Sequence, residues 1–223
     1  MVTVSVTTAR FSRRAVLTGM SLTLAGCATA GMTPPMPAIG PFAAAAEYGP
    51  IDNEPFPIAA VDTSTMNPEM LRQEVPYRGP YRPGTIVVNV AQRHLYWIEP
   101  NGMAIRYGVG VGREEALNFQ GDAIIGRKAE WPGWTPTESM IERIPKYAAY
   151  RGGMKGGIDS PLGARALYLY RGGQDTHFRL HGTTEPETIG TAVSSGCIRL
   201  INQDIIDLYR RVPVGTQVIV LQT

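Results

Sequence analysis

From residue 84 onward, short apolar runs alternate with turn residues. β-Branched and aromatic side chains dominate 85–90 and 94–98, while Ala91-Gln92-Arg93 and Pro100-Asn101-Gly102 are typical of turns. Similar runs predict further strands at 123–130, 165–170, 177–180 and 217–221. The pattern therefore predicts a mainly β fold.

Residues 104–112 alternate between the two faces of one predicted strand. The odd positions from 105 to 111 are apolar, and three of the even positions are glycines. Such glycines would let another backbone or a ligand approach closely. A dinucleotide-binding loop with G-x-G-x-x-G spacing is excluded. Its last glycine would fall on Arg113 if the motif began at Gly108, and on Glu115 if it began at Gly110.

Two helices are predicted. A short one follows Pro136, with Thr137 as its cap; a longer one begins at Asn202, a residue type that caps helices, and ends before Pro213. Apolar residues of the longer helix recur at helical spacing: Ile205, Leu208, Tyr209 and Val212.

Prolines recur too often between residues 28 and 83 for a helix or a central strand, and the Pro/Ala enrichment is typical of a semi-extended spacer. We interpret 28–83 as a tether and 84–223 as one catalytic domain. The second half of the tether contains apolar residues that predict packing on the domain: Ile51, Phe56, Ile58, Val61 and Tyr77.

The N-terminus has the features of an export signal. Residues 15–30 carry no charge, and the charges that precede them are Arg10, Arg13 and Arg14. The uncharged run is shorter than the roughly 20 apolar residues that span a bilayer, which favours a signal peptide over a membrane anchor. The segment 12–17 resembles the twin-arginine export motif, and general secretion is the alternative route.

The end of this signal resembles a bacterial lipobox, Leu24-Ala25-Gly26-Cys27. On this interpretation residues 1–27 form the signal region, and a lipid on Cys27 anchors the protein to a membrane in the periplasm or cell envelope. The alternative is ordinary cleavage after Ala30, at an A-x-A site, which would discard Cys27.

Charge excludes one class of partner. The chain holds 21 basic and 19 acidic residues, and removal of the three signal arginines leaves 18 basic against 19 acidic. Without a basic excess or a run of Lys or Arg, nothing supports sequence-independent binding to nucleic acid.

Cysteine usage indicates a reactive thiol. Since Cys27 is lipidated or lost, Cys197 is one free thiol in an exported chain, where an unpaired cysteine needs a reason. It ends the predicted turn 194–197, just before a helix, and His181 ends a predicted strand. A helix N-terminus and an imidazole would both lower the pKa of the thiol from about 8.5. A buried, inert cysteine is the alternative, although Arg199 and the small residues beside it are poor core neighbours.

The segment from His181 to Asn202 contains H-G, a loop, then S-S-G-C-I-R-L, with 16 residues from the histidine to the cysteine. This order of motifs resembles the L,D-transpeptidase catalytic domain of the YkuD or ErfK-YbiS type. The similarity runs from about Pro83 to Val220 and includes WPGWTPT, SPLG and VPVGTQVIV. The resemblance implies a β-sandwich with a few short helices, one of them following the cysteine.

The resemblance also implies residue roles. Cys197 would be the nucleophile and His181 the general base, oriented by the backbone carbonyl of Gly182. The backbone N–H groups of Gly196 and Cys197 would form the oxyanion hole. Arg199 would order the site or bind a substrate carboxylate, with a salt bridge to the final helix as the alternative. The residues expected to contact substrate are Ser195, Ser194, Tyr170 and Trp134.

The implied reaction is acyl transfer on peptidoglycan stem peptides. Cys197 would attack the carbonyl of the third stem residue, release D-Ala and form a thioester, which an amine of a second stem or of an envelope lipoprotein would resolve. Carbapenems, which acylate this family, would acylate Cys197. Water as acceptor would give L,D-carboxypeptidase activity; another cysteine acyl hydrolase and a non-catalytic, lipid-anchored wall-binding protein are further alternatives.

No cofactor or metal is expected. The chain has three histidines, which form no ligand cluster along the sequence. His94 and His177 lie in predicted strands without a matching motif, and we interpret both as structural.

Overall fold

The structure is a computed structural model that describes residues 47–222. The predicted export signal, Cys27 and the first part of the predicted tether lie outside the described residues. Within the described part of the chain, no helix is both long and apolar enough to cross a membrane.

Nine strands form one sheet, and two short strands form a second pair. The strands are β1 (Gln73–Pro76), β2 (Thr85–Asn89), β3 (His94–Ile98), β4 (Met103–Gly108), β5 (Val111–Gly112), β6 (Gly121–Glu130), β7 (Arg165–Arg171), β8 (Gln174–His181), β9 (Ala192–Ser194), β10 (Ile198–Arg199) and β11 (Gln217–Leu221). The sheet order is β1-β4-β3-β2-β11-β6-β7-β8-β10, and β5 pairs with β9. The prediction of a mainly β fold is confirmed.

Within residues 48–222, two α-helices accompany the sheet, α1 (Glu138–Arg143) and α2 (Asn202–Arg211). Thr137 caps α1 as predicted, since its side chain accepts a hydrogen bond from the Met140 amide. The cap of α2 is Ile201 rather than Asn202; the Asn202 side chain is engaged elsewhere. Short 3₁₀ turns lie at Thr63–Thr65, Pro68–Met70, Pro100–Gly102, Glu115–Leu117, Pro145–Tyr150 and Pro186–Thr188.

The core lies between the sheet and α2. It joins apolar side chains of the central strands to the inner face of the helix, and each fully buried side chain contributes about 1.5–3 kcal/mol. Its members include Ile86, Val88, Leu95, Tyr107, Val109, Leu167, Leu169, Ile205 and Leu208.

The segment predicted as one strand at 104–112 is divided in two. Its odd positions from 105 to 111 are buried as predicted, but β4 ends at Gly108 because Gly110 leaves β3 and exchanges two backbone hydrogen bonds of 2.9 Å with Arg199. A Cβ at position 108 would lie 2.3 Å from the Met70 carbonyl oxygen. The glycine therefore admits a second backbone, as the sequence predicts.

Residues 47–83 pack against the sheet and α2. Tyr48 is buried, and its hydroxyl lies 3.0 and 3.1 Å from the two carboxylate oxygens of Asp204. Ile58 is buried beside Ile206, and β1 pairs antiparallel with β4 at the sheet edge. This part of the predicted tether is thus folded onto the domain.

A bulge in β8 shapes the surface next to its C-terminal end. Arg179 pairs with Tyr168 and Asp175 with Tyr170, so the three residues 176–178 oppose the single residue Leu169 of β7. The Thr176 hydroxyl donates to the Leu169 carbonyl at 2.7 Å, and His177 has a positive φ of 63°. Bulges of this kind turn side chains away from the regular alternation.

Candidate active site

A cavity of about 400 Å³ opens beside the ends of β8 and β9. Cys197 and His181 both line it. The parallel pairing of β10 with β8 places Arg199 opposite His181, and Cys197 immediately precedes β10. Another part of the lining comes from α1 and the segments on either side of it: Trp134, Thr137, Ser139, Met140, Arg143 and Tyr147.

His181 is buried at the end of β8, and its ring has a defined orientation. Nδ1 lies 2.6 Å from the carbonyl oxygen of Gly182. Because a carbonyl only accepts, Nδ1 carries the proton and Nε2 is left as an acceptor. Burial lowers the pKa of His181 to about 4, and the nearby charges of Arg199 and Arg179 act in the same direction. The imidazole is therefore neutral at neutral pH.

Cys197 lies in the turn between β9 and β10. Its Sγ donates to the carbonyl oxygen of His177 at 4.0 Å. Burial raises the pKa of the thiol, and the Arg179 amide and the charges of Arg179 and Arg199 only partly oppose that rise. The lowered pKa expected from the sequence is wrong, because β10 separates Cys197 from α2 and the thiol does not sit at the helix N-terminus.

Ser194 holds the turn that carries the cysteine. Its hydroxyl donates to the Cys197 carbonyl at 2.7 Å and accepts from the Gly196 amide at 3.0 Å. Gly196 has a φ of 126°, and a Cβ there would lie 2.3 Å from the Leu117 carbonyl oxygen, so only glycine fits.

The backbone amides of Gly196 and Cys197, the two expected oxyanion-hole donors, differ in whether they already have a hydrogen-bond acceptor. The Gly196 amide is bonded to Ser194, so the sequence-based expectation that it faces the reacting atom does not hold in this conformation. The Cys197 amide donates to no group of residues 47–222. It is therefore available to donate a hydrogen bond to a ligand.

The family profile described as "YkuD: L,D-transpeptidase catalytic domain" matches residues 83–220. The chain belongs to this family. The "Probable L,D-transpeptidase ErfK/SrfK" of Escherichia coli K12 is 38% identical over 138 residues, which cover 60% of this chain and 42% of that protein. The "Probable L,D-transpeptidase YbiS" of the same strain is 36% identical over 145 residues, which cover 60% and 43%. The chain thus matches less than half the length of these relatives.

A solved structure from Brucella melitensis is also similar to this L,D-transpeptidase family member. It is described as a "Probable carnitine operon oxidoreductase", shares 48% sequence identity and covers 72% of this chain and 99% of its own, with a TM-score of 0.48.

Arg199 lines the cavity of the transpeptidase domain and makes a salt bridge. Its guanidinium lies 2.9 Å from Glu185 Oε2, in the loop between β8 and β9, and not against the final helix. Its side chain is 18% exposed, whereas that of Glu185 is 56% exposed. Arg199 can therefore exchange this solvent-facing partner for another carboxylate.

Trp134 and Ser195 line the cavity as the sequence predicts. The Trp134 ring meets Tyr147 at a centroid distance of 5.1 Å and Tyr150 at 5.9 Å, and its backbone pairs with Met154. This packing fixes the wall formed by α1 and the following turn.

The structure does not bring Tyr170 into the cavity. Tyr170 shares a strand face with Tyr168, and its ring lies over Gly126, where a Cβ would come within 2.3 Å of it. Gly126 lies at the bulge of β6, which leaves room for the ring on this outer face.

The cavity residues missed from the sequence include Arg143, Tyr147 and His177. His177 was interpreted as structural, but the bulge of β8 turns it to the cavity, and a bulge has no signal in an apolar run. Helix α1 was predicted, but its spacing does not say which of its polar residues faces the site. His94 is buried outside the cavity, with Nε2 3.2 Å from the Glu69 carbonyl oxygen, consistent with a structural role.

Proposed function

We propose that this protein is a peptidoglycan L,D-transpeptidase in which Cys197 is the nucleophile and His181 the general base. One observation carries the proposal: a thiol and a neutral imidazole line the same cavity, and the imidazole has its Nδ1 proton committed to Gly182. Nε2 is then the one ring nitrogen that can take the proton of the thiol.

In the proposed first step, Cys197 transfers its proton to Nε2 of His181 as Sγ attacks the carbonyl of the third stem residue. The Cys197 amide donates to the resulting oxyanion. The tetrahedral intermediate expels D-Ala, whose amine takes the proton from His181, and a thioester remains. An amine of a second stem or an envelope lipoprotein then attacks the thioester, gives its proton to His181 and releases the thiol.

The charge of the cavity fits an anionic donor. Arg143 and Arg199 are the charged residues among those that line it, and both are cationic. A tetrapeptide stem carries a terminal D-Ala carboxylate, and cationic walls raise the local concentration of such a ligand. The proposal places the protein in the periplasm, exported by its N-terminal signal and attached to a lipid on Cys27 through the residues that precede the folded segment.

The test is to incubate residues 47–223 with purified tetrapeptide muropeptides and weigh the products. We expect release of D-Ala and a 3-3 cross-linked dimer, both lost in Cys197→Ala, which should fold normally. A tripeptide without dimer would indicate L,D-carboxypeptidase activity instead. Acyl adducts from a carbapenem should form on the wild type alone; equal adducts on both proteins would remove Cys197 from the mechanism.

A further inference from the structure

Asn202 lies at the start of α2, but its side chain does not cap that helix. Oδ1 accepts a hydrogen bond from the Ala164 amide at 2.9 Å, and Nδ2 donates to the Thr183 carbonyl at 2.9 Å. Ala164 precedes β7, and Thr183 follows the end of β8. The amide thus joins the helix to both chain segments beside the base His181.

The Asn202 amide lies so close to its neighbours that it limits which residues fit around it. A Cβ on Gly182 would lie 2.1 Å from Oδ1 of Asn202, and a Cβ on Gly163 would lie 2.3 Å from the same atom. Both positions must therefore be glycine for the amide to reach its partners. Gly182 is the residue whose carbonyl oxygen accepts from His181.

On one side the loop borders a second cavity of about 270 Å³, which Gly163, Thr183 and Asn202 line together with Ile58 and Trp131. Besides the Asn202 amide, the Glu185 amide binds this loop, donating to the Thr183 hydroxyl at 3.0 Å. The buried Thr183 carbonyl would lose its hydrogen bond if the amide were absent. The Gly182 peptide, held otherwise by a 3.1 Å bond from its amide to the Arg165 carbonyl, would then be free to turn.

From these contacts we infer that Asn202 is a positioning residue: its amide holds the Gly182–Thr183 loop where the Gly182 carbonyl fixes the Nδ1–H tautomer of His181. The inference rests on the proposed role of His181 as general base. It assigns Asn202 no contact with substrate. The effect on catalysis passes through His181 alone, because a tautomer with the proton on Nε2 cannot accept the proton of Cys197.

The test combines a tautomer measurement with kinetics on residues 47–223. Correlation of imidazole ¹⁵N and ring protons should report the Nδ1–H form of His181 in the wild type and a mixture of tautomers in Asn202→Ala. Cys197 acylation by a tetrapeptide should slow at least tenfold with KM unchanged, within the 10²–10⁴-fold contribution of a general base. Asn202→Asp keeps the acceptor for Ala164 but replaces the donor to Thr183 by an oxygen that its carbonyl repels, so it should show the same loss as Asn202→Ala.

Gln203→Ala is the matched control. Gln203 is the next residue of α2, and its amide also binds backbone carbonyls, those of Gly49 and Ala59, away from the catalytic loop. It should lower Tm without changing the tautomer of His181. If both Asn202 variants fold and keep the wild-type tautomer and acylation rate, the inference is overturned. A wild type that reacts with no stem peptide would overturn the proposed function, while the tautomer measurement would still decide the role of Asn202.

Discussion

At the scale of single residues, the resting site is a pair of neutral groups rather than a thiolate–imidazolium pair. Burial raises the pKa of Cys197 and lowers that of His181 to about 4. Desolvation penalises the charged form of each group, and no helix terminus offsets it at the sulfur. In the proposed mechanism, the proton of Cys197 therefore moves to His181 only once substrate is bound.

Because both groups are neutral at rest, we can predict how the acylation reaction and the alkylation of Cys197 depend on pH. The acid limb of kcat/KM for stem-peptide acylation should lie near pH 4, because His181 loses its capacity to accept a proton only as the pH falls through its pKa. Alkylation of free Cys197 by iodoacetamide should show an inflection above the ordinary thiol value of about 8.5. An alkylation inflection near neutral pH would instead indicate a preformed ion pair.

At the scale of elements, most strands of the sheet could be predicted from the sequence, but the shortest ones could not. The strands at 94–98 and 217–221 have the bounds that their β-branched and aromatic runs indicate, and α1 has its predicted cap. The edge strand β1 and the two-residue β10 are too short and too polar to leave such a pattern. They exist because distant segments supply their hydrogen bonds.

Side-chain partners were harder to predict than elements. Asn202 was expected to cap its helix because that is common for its residue type, yet its amide binds Ala164 and Thr183. Tyr170 was expected in the cavity, but the outer face of β7 carries it away. Cys197 and His181, which line the same cavity, were both singled out from the sequence, because two motifs 16 residues apart contain them.

Helix α1 gives the cavity wall a charge that can be tested. Arg143→Gln should raise KM for the tetrapeptide about five- to tenfold, equivalent to about 1 kcal/mol for one exposed charge-assisted contact, with kcat nearly unchanged. Lys146→Gln is the control, since Lys146 is a nearby exposed cation that does not line the cavity. Equal effects of the two variants would show that only the net charge of the wall matters.

At the scale of the whole molecule, the segment that contains Tyr48 and Arg72 is attached to α2 through the buried side chain of Asp204. Asp204 is buried with Tyr48 at its oxygens, Arg72 at 3.7 Å and Asp207 nearby on the same helix. Burial raises its pKa to about 7, against about 3.9 in an unfolded chain. The folded state therefore holds a proton that the unfolded state releases, and this group stabilises the fold less as the pH rises from about 4 to 7.

Replacing Asp204 by Asn should remove that dependence. The difference in Tm between Asp204→Asn and the wild type should move in favour of the variant as the pH is raised from 4 to 7. Tyr48→Phe should destabilise the protein by about 1–3 kcal/mol, since it removes the hydroxyl that donates to Asp204 and accepts from the Arg72 amide. A constant Tm difference across this range would contradict the assignment.

The docked segment also limits how far a lipid-anchored domain could move. Only 19 residues separate Cys27 from Glu47, and at roughly 3.6 Å per residue they span at most about 70 Å. We expect the exported protein to fractionate with membranes, because a multiply acylated cysteine anchors stably. Cys27→Ser should release it or stall its processing. A mature N-terminus at Gly31 in the soluble fraction would contradict the lipobox interpretation.

The raised pKa of the Cys197 thiol has a consequence for the lifetime of the protein. Peroxide oxidises thiolates, not thiols, and a lone cysteine without a resolving partner would proceed from sulfenic to irreversible sulfinic acid. Because the raised pKa keeps the sulfur protonated between turnovers, the resting protein offers little of the oxidisable species. Under the proposed mechanism the thiolate forms only as Sγ attacks an acyl donor, and this would let the protein persist in an oxidising compartment without a repair system.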